Sequence, residues 1–337
     1  MGEERFLVVR LGSLGDIVHA LPAVHALRNK FPGAQLDWLV EDKWRALLAG
    51  NADINDIIRL DRTTWSGVSA CVRQLRRRKY DCAIDFQGLY KSALLARLSG
   101  ARRRIGFALE HLRESGAAWF YTERVRSTAS HIVDQNLALA QHAGAEKGEV
   151  RFPLAFPDEA ERFVRMQLGS KGGKKFFVMS PGGGWMSKCW PAEQYGHLHR
   201  RLMSVLSFAG WRGVVNYGPG ERHLAEAVRV AGGDADPLLF SGELPQLMAL
   251  LRGAAFFVGG DTGPLHLAVA LGTPVVGLYG PTDPARNGPY SPADVVVRNA
   301  REEETTYKRD SSPARSMRSI TVEQVVAAVQ RRLGVRQ

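Results

Sequence analysis

A carboxylate, a hydroxyl and an imidazole share one short run, Gly259-Gly260-Asp261-Thr262-Gly263-Pro264-Leu265-His266-Leu267-Ala268. The apolar stretch before it, Ala254 to Val258, reads as a buried parallel strand. The periodic apolar stretch from Leu265 to Leu271 reads as a helix. Pro264 suits a first helical turn, where its missing N–H would have no partner. N–H groups at such a helix start, reinforced by the positive end of the helix dipole, form a site for an anion such as a diphosphate. An ordinary strand-to-helix turn has the same local sequence, so the remaining loops decide between the two.

Two further loops carry unusual residues. In Gly12-Ser13-Leu14-Gly15-Asp16, Gly15 allows a tight turn and Asp16 falls at a helix start. Asp16 is then either a helix cap or a general base facing a cleft. The loop lacks the third glycine and the later acidic residue of a dinucleotide fingerprint. In Gly182-Gly183-Gly184-Trp185-Met186-Ser187-Lys188-Cys189-Trp190-Pro191, one lysine stands among glycines and tryptophans before a helix. Lys188 can neutralise a phosphate there while the tryptophans exclude water; the plain alternative is an exposed lysine. His266 can donate to the same phosphate, or simply pack in its helix.

Asp234-Ala235-Asp236 matches a metal-binding Asp-x-Asp pattern, but its Gly-Gly-Asp surroundings read as a loop. Glu302-Glu303-Glu304 reads as an acidic surface run. With no His/Cys/Asp cluster at ligand spacing, no metal and no cofactor are expected. Cys71, Cys82 and Cys189 are odd in number and unpaired in spacing, which predicts a reducing, cytoplasmic setting. No leader-like start and no apolar run near the ~20 residues of a membrane span are present, so a soluble protein is expected.

The formal charge of +11 points to an acidic partner. Twelve arginines and lysines lie between Arg59 and Arg104, against Asp61, Asp81 and Asp85. No nucleic-acid module accompanies them, and the stretch Arg73 to Lys79 reads as a solvated helix face.

These residues must be positioned by alternating strands and helices. Strands are read at Phe6–Val9, Leu36–Val40, Ile57–Leu60 and Cys82–Phe86, with helices at Ile17–Leu27 and Ser92–Leu98. The pattern restarts after Pro157, with strands at Phe176–Met179, Val214–Tyr217, Phe256–Val258 and Val275–Leu278. Alternation of this kind predicts an α/β fold of two doubly wound, Rossmann-like domains facing a cleft. The expected linker lies between Phe156 and Lys175, where Ser170-Lys171-Gly172-Gly173-Lys174 looks exposed and flexible. Thr321-Val322-Glu323-Gln324 is a capping-box sequence opening a last helix.

Taken in order, several segments resemble the bacterial ADP-heptose:lipopolysaccharide heptosyltransferases of glycosyltransferase family 9. They are Arg10-Leu11-Gly12-Ser13-Leu14-Gly15-Asp16 with Leu21-Pro22-Ala23, Asp37-Trp38-Leu39-Val40-Glu41, and Asp85-Phe86-Gln87-Gly88-Leu89-Tyr90-Lys91-Ser92. Lys188-Cys189-Trp190-Pro191, the Gly259 to Ala268 run and Tyr279-Gly280-Pro281-Thr282-Asp283-Pro284 complete the set. Asp-Trp-Leu-Val-Glu, and Leu112-Arg113-Glu114 before Trp119-Phe120-Tyr121, look most like the type I enzymes, with type II the close competitor.

The resemblance implies a GT-B architecture: residues 1–160 for the acceptor, 175–320 for the nucleotide sugar, and a helix over 321–337 packing back on the first domain. It implies inverting, metal-independent transfer of heptose from ADP-heptose to a Kdo sugar of Kdo-lipid A, in a cytoplasmic enzyme touching the inner membrane of a Gram-negative cell. Nucleic acid is not among the partners it implies. Asp16 matches the base. Lys188, the Thr262 and Gly263 amides, Pro264 and His266 match the diphosphate site, with Ser187 beside them. Asp261 would hydrogen-bond heptose hydroxyls, and Glu221 would hold the ribose. Ser13, Arg62, Gln87, Lys91, Arg103 and Arg113 are the acceptor candidates, guanidinium suiting carboxylates and phosphates. One departure is visible: Thr305 to Ser319 has no cysteine, where many relatives carry several. Beside this reading stand a sugar-nucleotide epimerase of the same fold and a non-catalytic binder of anionic lipid or nucleic acid.

Overall fold

Every central apolar run becomes a parallel strand buried on both faces. The computed structural model describes residues 4–169, 175–205, 211–306 and 312–334, and the chain forms two units, Met1–Ala155 and Phe156–Gln337. The first contains β1 (Arg5–Val9), α1 (Leu14–Lys30), β2 (Gln35–Glu41), α2 (Arg45–Leu48), β3 (Asp56–Leu60) and α3 (Trp65–Arg78). It continues with β4 (Cys82–Asp85), α4 (Tyr90–Leu98), β5 (Arg103–Phe107), β6 (Glu123–Val125) and α5 (Ile132–His142). Its six strands are all parallel, in the order β3-β2-β1-β4-β5-β6. Val8 stands beside Trp38 on one side and Ile84 on the other.

The second unit opens with α6 (Asp158–Leu168), then β7 (Lys175–Ser180), α7 (Ala192–Val205), β8 (Trp211–Asn216) and α8 (Arg222–Gly232). Next come β9 (Leu238–Phe240), α9 (Leu244–Gly253), β10 (Phe257–Gly260), α10 (Gly263–Ala270) and β11 (Val275–Tyr279). The unit ends with α11 (Pro284–Asn287), β12 (Val295–Arg298), α12 (Arg315–Arg318) and α13 (Val322–Leu333). This sheet is also all parallel, ordered β12-β11-β10-β7-β8-β9. Both sheets therefore follow the doubly wound order 3-2-1-4-5-6, with a switch point between β1 and β4 and another between β7 and β10.

Two expected boundaries are corrected. The division falls at Ala155/Phe156 rather than near residue 160. α6 occupies much of the expected linker and packs on α9 of the second unit, while Ser170 to Lys174 lie outside the described residues. The last helix, expected on the first domain, instead packs on α7, β11 and β12. Val325, Val326, Ala328 and Val329 join the second unit's core with Phe177, Trp190 and Leu198. That core offers a matching apolar face next to the chain's own exit point, so the helix needs no more distant partner. Its start is as expected: the Thr321 hydroxyl accepts from Gln324 N–H at 3.3 Å, and the Thr321 N–H donates to Gln324 Oε1 at 2.9 Å.

Val329 is fully buried against this core. Val329→Asp forces an unpaired charge among apolar side chains and should cost about 3 kcal/mol or more. For a unit of this size that is a fall of roughly 10 °C in the thermal midpoint, read by calorimetry. An unchanged midpoint would place the helix elsewhere.

Candidate active site

In each sheet the candidate residues gather in loops leaving the carboxyl ends of the two switch-point strands. In the first unit Ser13 is the N-cap of α1, and Asp16 lies three residues further on, in the first turn. Asp16 Oδ2 accepts from the Ser13 N–H at 3.1 Å and from its hydroxyl at 2.9 Å. Asp16 is thus the reciprocal partner of a cap rather than the cap itself. Its other oxygen pairs with Arg10 Nη2 at 2.7 Å, yet 42% of the side chain stays accessible. Desolvation opposes the Asp16 charge, but Arg10, His19 and the Ser13 hydrogen bonds outweigh it and hold the carboxyl down at about 2. Arg10 is itself fixed, donating to the Phe86 carbonyl at the end of β4.

Buried Asp85 shapes the neighbouring loop. It accepts from Gln87 N–H at 2.8 Å, Ser92 Oγ at 2.8 Å and Tyr121 Oη at 2.7 Å, although burial raises its pKa. Gln87 Oε1 in turn accepts from Leu11 N–H at 2.9 Å, tying the β4 loop to the β1 loop. Arg62 and Lys91 meet at Glu41, with Nη2 and Nζ at 2.8 and 3.8 Å from Oε1. Lys43 lies 3.5 Å from its other oxygen. Three cations about one carboxylate leave a formal excess of two positive charges. Arg113 is exposed in the loop after β5, which docks on the same end of the sheet: Glu114 accepts from the Tyr90 N–H at 2.7 Å.

Arg103 is not brought to this group. It starts β5, at the amino ends of the strands, in a two-pronged pair with Glu123 at 2.8 and 3.0 Å. Arg103 thus reaches along β5 to a neighbouring-strand Glu whose register partner is Ile105, and no single-sequence pattern separates such a pair from an anion site.

The second unit builds its cluster on Asp261, which is almost wholly buried at the end of β10. Lys188 Nζ lies 2.6 Å from Oδ2, His266 Nε2 3.0 Å from Oδ1, and Asn287 Nδ2 donates to Oδ1 at 2.7 Å. Burial disfavours the Asp261 charge, but His266 and Lys188 overcome it and carry the carboxyl well below the usual range. Asp261 therefore positions Lys188 and His266, and its Oδ2, which accepts from Lys188 alone in these contacts, keeps a lone pair for a further donor. Lys188 Nζ also sits 4.5 Å above the Trp185 ring. Trp190, by contrast, is a core residue whose indole donates to the Ile320 carbonyl at 3.0 Å.

Thr262 caps α10, and Gly263 and Pro264 open it. A methyl group on Gly183 would come within 2.6 Å of Thr262 Cγ2, so the β7 and β10 loops touch backbone to side chain. Glu221 starts α8, accepts from the Gly218 N–H at 2.8 Å, and lies against Gly182, where a Cβ would meet its carboxyl at 2.3 Å. Ser187 is buried, and its hydroxyl has no protein partner. Asp234 to Asp236 lie in a tight turn after α8, as the sequence suggests. Arg10, Glu41 and Asn287 were not anticipated in these roles. Arg10 lies in the motif containing Asp16, but its pairing depends on the β4 neighbour. Asn287 lies 26 residues from Asp261.

Among the described residues no helix is long and apolar enough to cross a membrane. The chain is 30% identical over 312 residues to lipopolysaccharide heptosyltransferase 1 of Escherichia coli, covering 88% of this chain and 94% of that protein. It is 28% identical over 298 residues to lipopolysaccharide core heptosyltransferase OpsX of Haemophilus influenzae, covering 86% and 83%. The solved E. coli heptosyltransferase WaaC with ADP-2-deoxy-2-fluoro heptose superposes with a TM-score of 0.75 at 26% identity, covering 97% of this chain and 99% of that one. That likeness, with the two doubly wound sheets, gives the GT-B fold. The profile of glycosyltransferase family 9 (heptosyltransferase) matches residues 68–315, and the chain, a glycosyltransferase, belongs to that family.

Proposed function

We propose that this enzyme transfers heptose from ADP-heptose to a Kdo sugar of Kdo-lipid A, with inversion, in lipopolysaccharide core assembly. One observation carries the reading: the two units put complementary chemistry at the same topological position, an accessible carboxylate at one switch point and a cation cluster at the other. The names of the relatives support a lipopolysaccharide acceptor, and the ADP-heptose analogue in the solved E. coli enzyme supports the donor. The type I assignment rests on Asp37 to Glu41 and on Leu112 to Tyr121.

The acceptor hydroxyl is far too weak an acid to ionise near neutrality, so a base must take its proton as it attacks. Asp16, ionised and accessible, is that base. Attack opposite the leaving ADP needs a single carboxylate, unlike double displacement. The bond from the anomeric carbon to the diphosphate oxygen breaks as the new glycosidic bond forms, and charge grows on the diphosphate. Lys188, His266 and the Thr262–Gly263 helix start stabilise that charge. Asp261 keeps both side chains aimed and accepts from heptose hydroxyls with its remaining lone pair, and the buried Ser187 hydroxyl lies in the Lys188 loop. Glu221 holds the ribose. Ser13, Gln87, Arg62, Lys91 and Arg113 serve the acceptor, the last three through its carboxylates and phosphates. The reading needs neither metal nor cofactor and places the enzyme in the cytoplasm, at the inner membrane.

Mass spectrometry of an incubation with ADP-heptose and Kdo-lipid A should show one added heptose and released ADP. Transfer only to an acceptor already carrying heptose would assign a later step. Donor consumption without acceptor would indicate an epimerase. Asp16→Asn keeps the contacts to Ser13 and removes basicity, so turnover should fall by about 10²–10⁴ while ADP affinity, measured by calorimetry, stays put. Near-normal turnover in the folded variant would exclude Asp16 as the base.

The Arg10 pair yields a pH test. With its carboxyl held at about 2, Asp16 remains ionised at ordinary assay pH, so kcat/KM should show no acidic limb from this residue above about pH 3. Arg10→Met removes the largest of the charges that hold the carboxyl down, while His19 and the Ser13 hydrogen bonds remain, so the Asp16 pKa rises. The acidic limb of kcat/KM should then move upward in pH from its wild-type position. Identical profiles for wild type and variant would sever Arg10 from the base.

A further inference from the structure

The first unit carries a second basic region, remote from Asp16. α3 runs back against its sheet, burying Cys71 and Leu75 with Val68 and Val72 packed beside them. Its carboxyl end arrives at the amino ends of β1 and β2, where Arg5 Nη1 donates to the Arg78 carbonyl at 2.7 Å. There a recess of about 620 Å³ is lined by four arginines, Arg5, Arg73, Arg77 and Arg78, with Gln35 and Gln74. The carboxylates at this end are occupied. Asp37 and Asp56 pair with Arg78, and Asp81 accepts from the Arg5 N–H. With Glu4 counted as well, the six cations Arg5, Arg73, Arg76, Arg77, Arg78 and Lys79 stand against four carboxylates, a formal excess of two positive charges. At the other end of the same helix Trp65 is 91% exposed. Ser69, Arg73 and Arg76 follow it at i+4, i+8 and i+11, on one stripe.

We propose that this face of α3, with its arginine recess, docks the protein on an anionic phospholipid surface. Guanidinium groups bind headgroup phosphates through paired donors. An exposed indole suits the interface between headgroups and chains. The arginines lie at the opposite ends of the strands from the Asp16 loop, about 15–20 Å away for strands of this length, while Trp65 starts α3 on the Asp16 side, shortly after Arg62, so the face runs from the arginine recess to the edge of the acceptor side. The inference rests on the lipid nature of the proposed acceptor only for its purpose; the surface itself stands on charge and exposure.

The test uses the full chain and no sugar substrate, so a failed transfer assay leaves it intact. Wild type should co-sediment with phosphatidylcholine vesicles containing about 30% phosphatidylglycerol and not with pure phosphatidylcholine, and salt should release it. Arg73→Ala/Arg77→Ala should weaken vesicle binding about 25-fold, and Trp65→Ala should weaken it too. Both variants should keep the wild-type thermal midpoint, because these side chains are exposed. Vesicle binding equal to wild type in both variants would overturn the proposal. So would no anionic-vesicle binding by wild type, or an RNA oligonucleotide displacing the vesicles at equal phosphate concentration.

Discussion

The direction of winding reverses once in each sheet, and the chemistry depends on that reversal. β1 and β4 are neighbours, yet the chain leaves them toward opposite flanks, as it does from β7 and β10. Loops that diverge leave a crevice in which backbone N–H groups and short side chains stay within reach of a ligand. Asp16 and Gln87 occupy one such position; Lys188 and Asp261 occupy the other. Where the loops approach each other, only glycine fits: Gly183 meets Thr262, and Gly182 meets the Glu221 carboxyl.

Charge is handled differently at the two positions. Asp261 is buried, a state that is tolerable because three donors satisfy its two oxygens. Removing Lys188 strips the carboxylate of its closest cation and leaves a buried charge poorly compensated. Asp16 is held by Arg10 and Ser13 but stays open to a substrate. A fixed carboxylate among fixed cations and an open one beside a single guanidinium suit different tasks. The first suits fixed geometry, and the second suits proton exchange.

Much of this was legible in the sequence, for a physical reason. Central parallel strands are buried on both faces and spell continuous apolar runs, so β1, β2, β4, β7, β8, β10 and β11 announce themselves. Outer strands need less burial. β5 begins with two arginines, and β6 and β9 are three residues each, below any periodic signal. The loops bearing Asp16, Lys188 and Asp261 stood out because glycine and charge follow an apolar run. Pairing was not legible. That Asp261 is enclosed, that Arg103 pairs with Glu123, and that Arg62 and Lys91 share Glu41 depend on strands and loops far apart in the chain. The destination of α13 was equally hidden, because an amphipathic helix specifies that it will bury a face and not which neighbour receives it.

The loop carrying Lys188 is also where the tail of the chain is fastened. Two residues beyond the lysine, the Trp190 indole holds the carbonyl of Ile320, just ahead of α13, and the Ser187 carbonyl accepts from the Ala314 N–H at 3.3 Å. α13 is anchored in the core of the second unit and moves only with it. The Lys188 loop is thus braced from behind by the segment that leads into α13. A segment some 130 residues further along the sequence therefore helps to hold the Lys188–Asp261 pair in place.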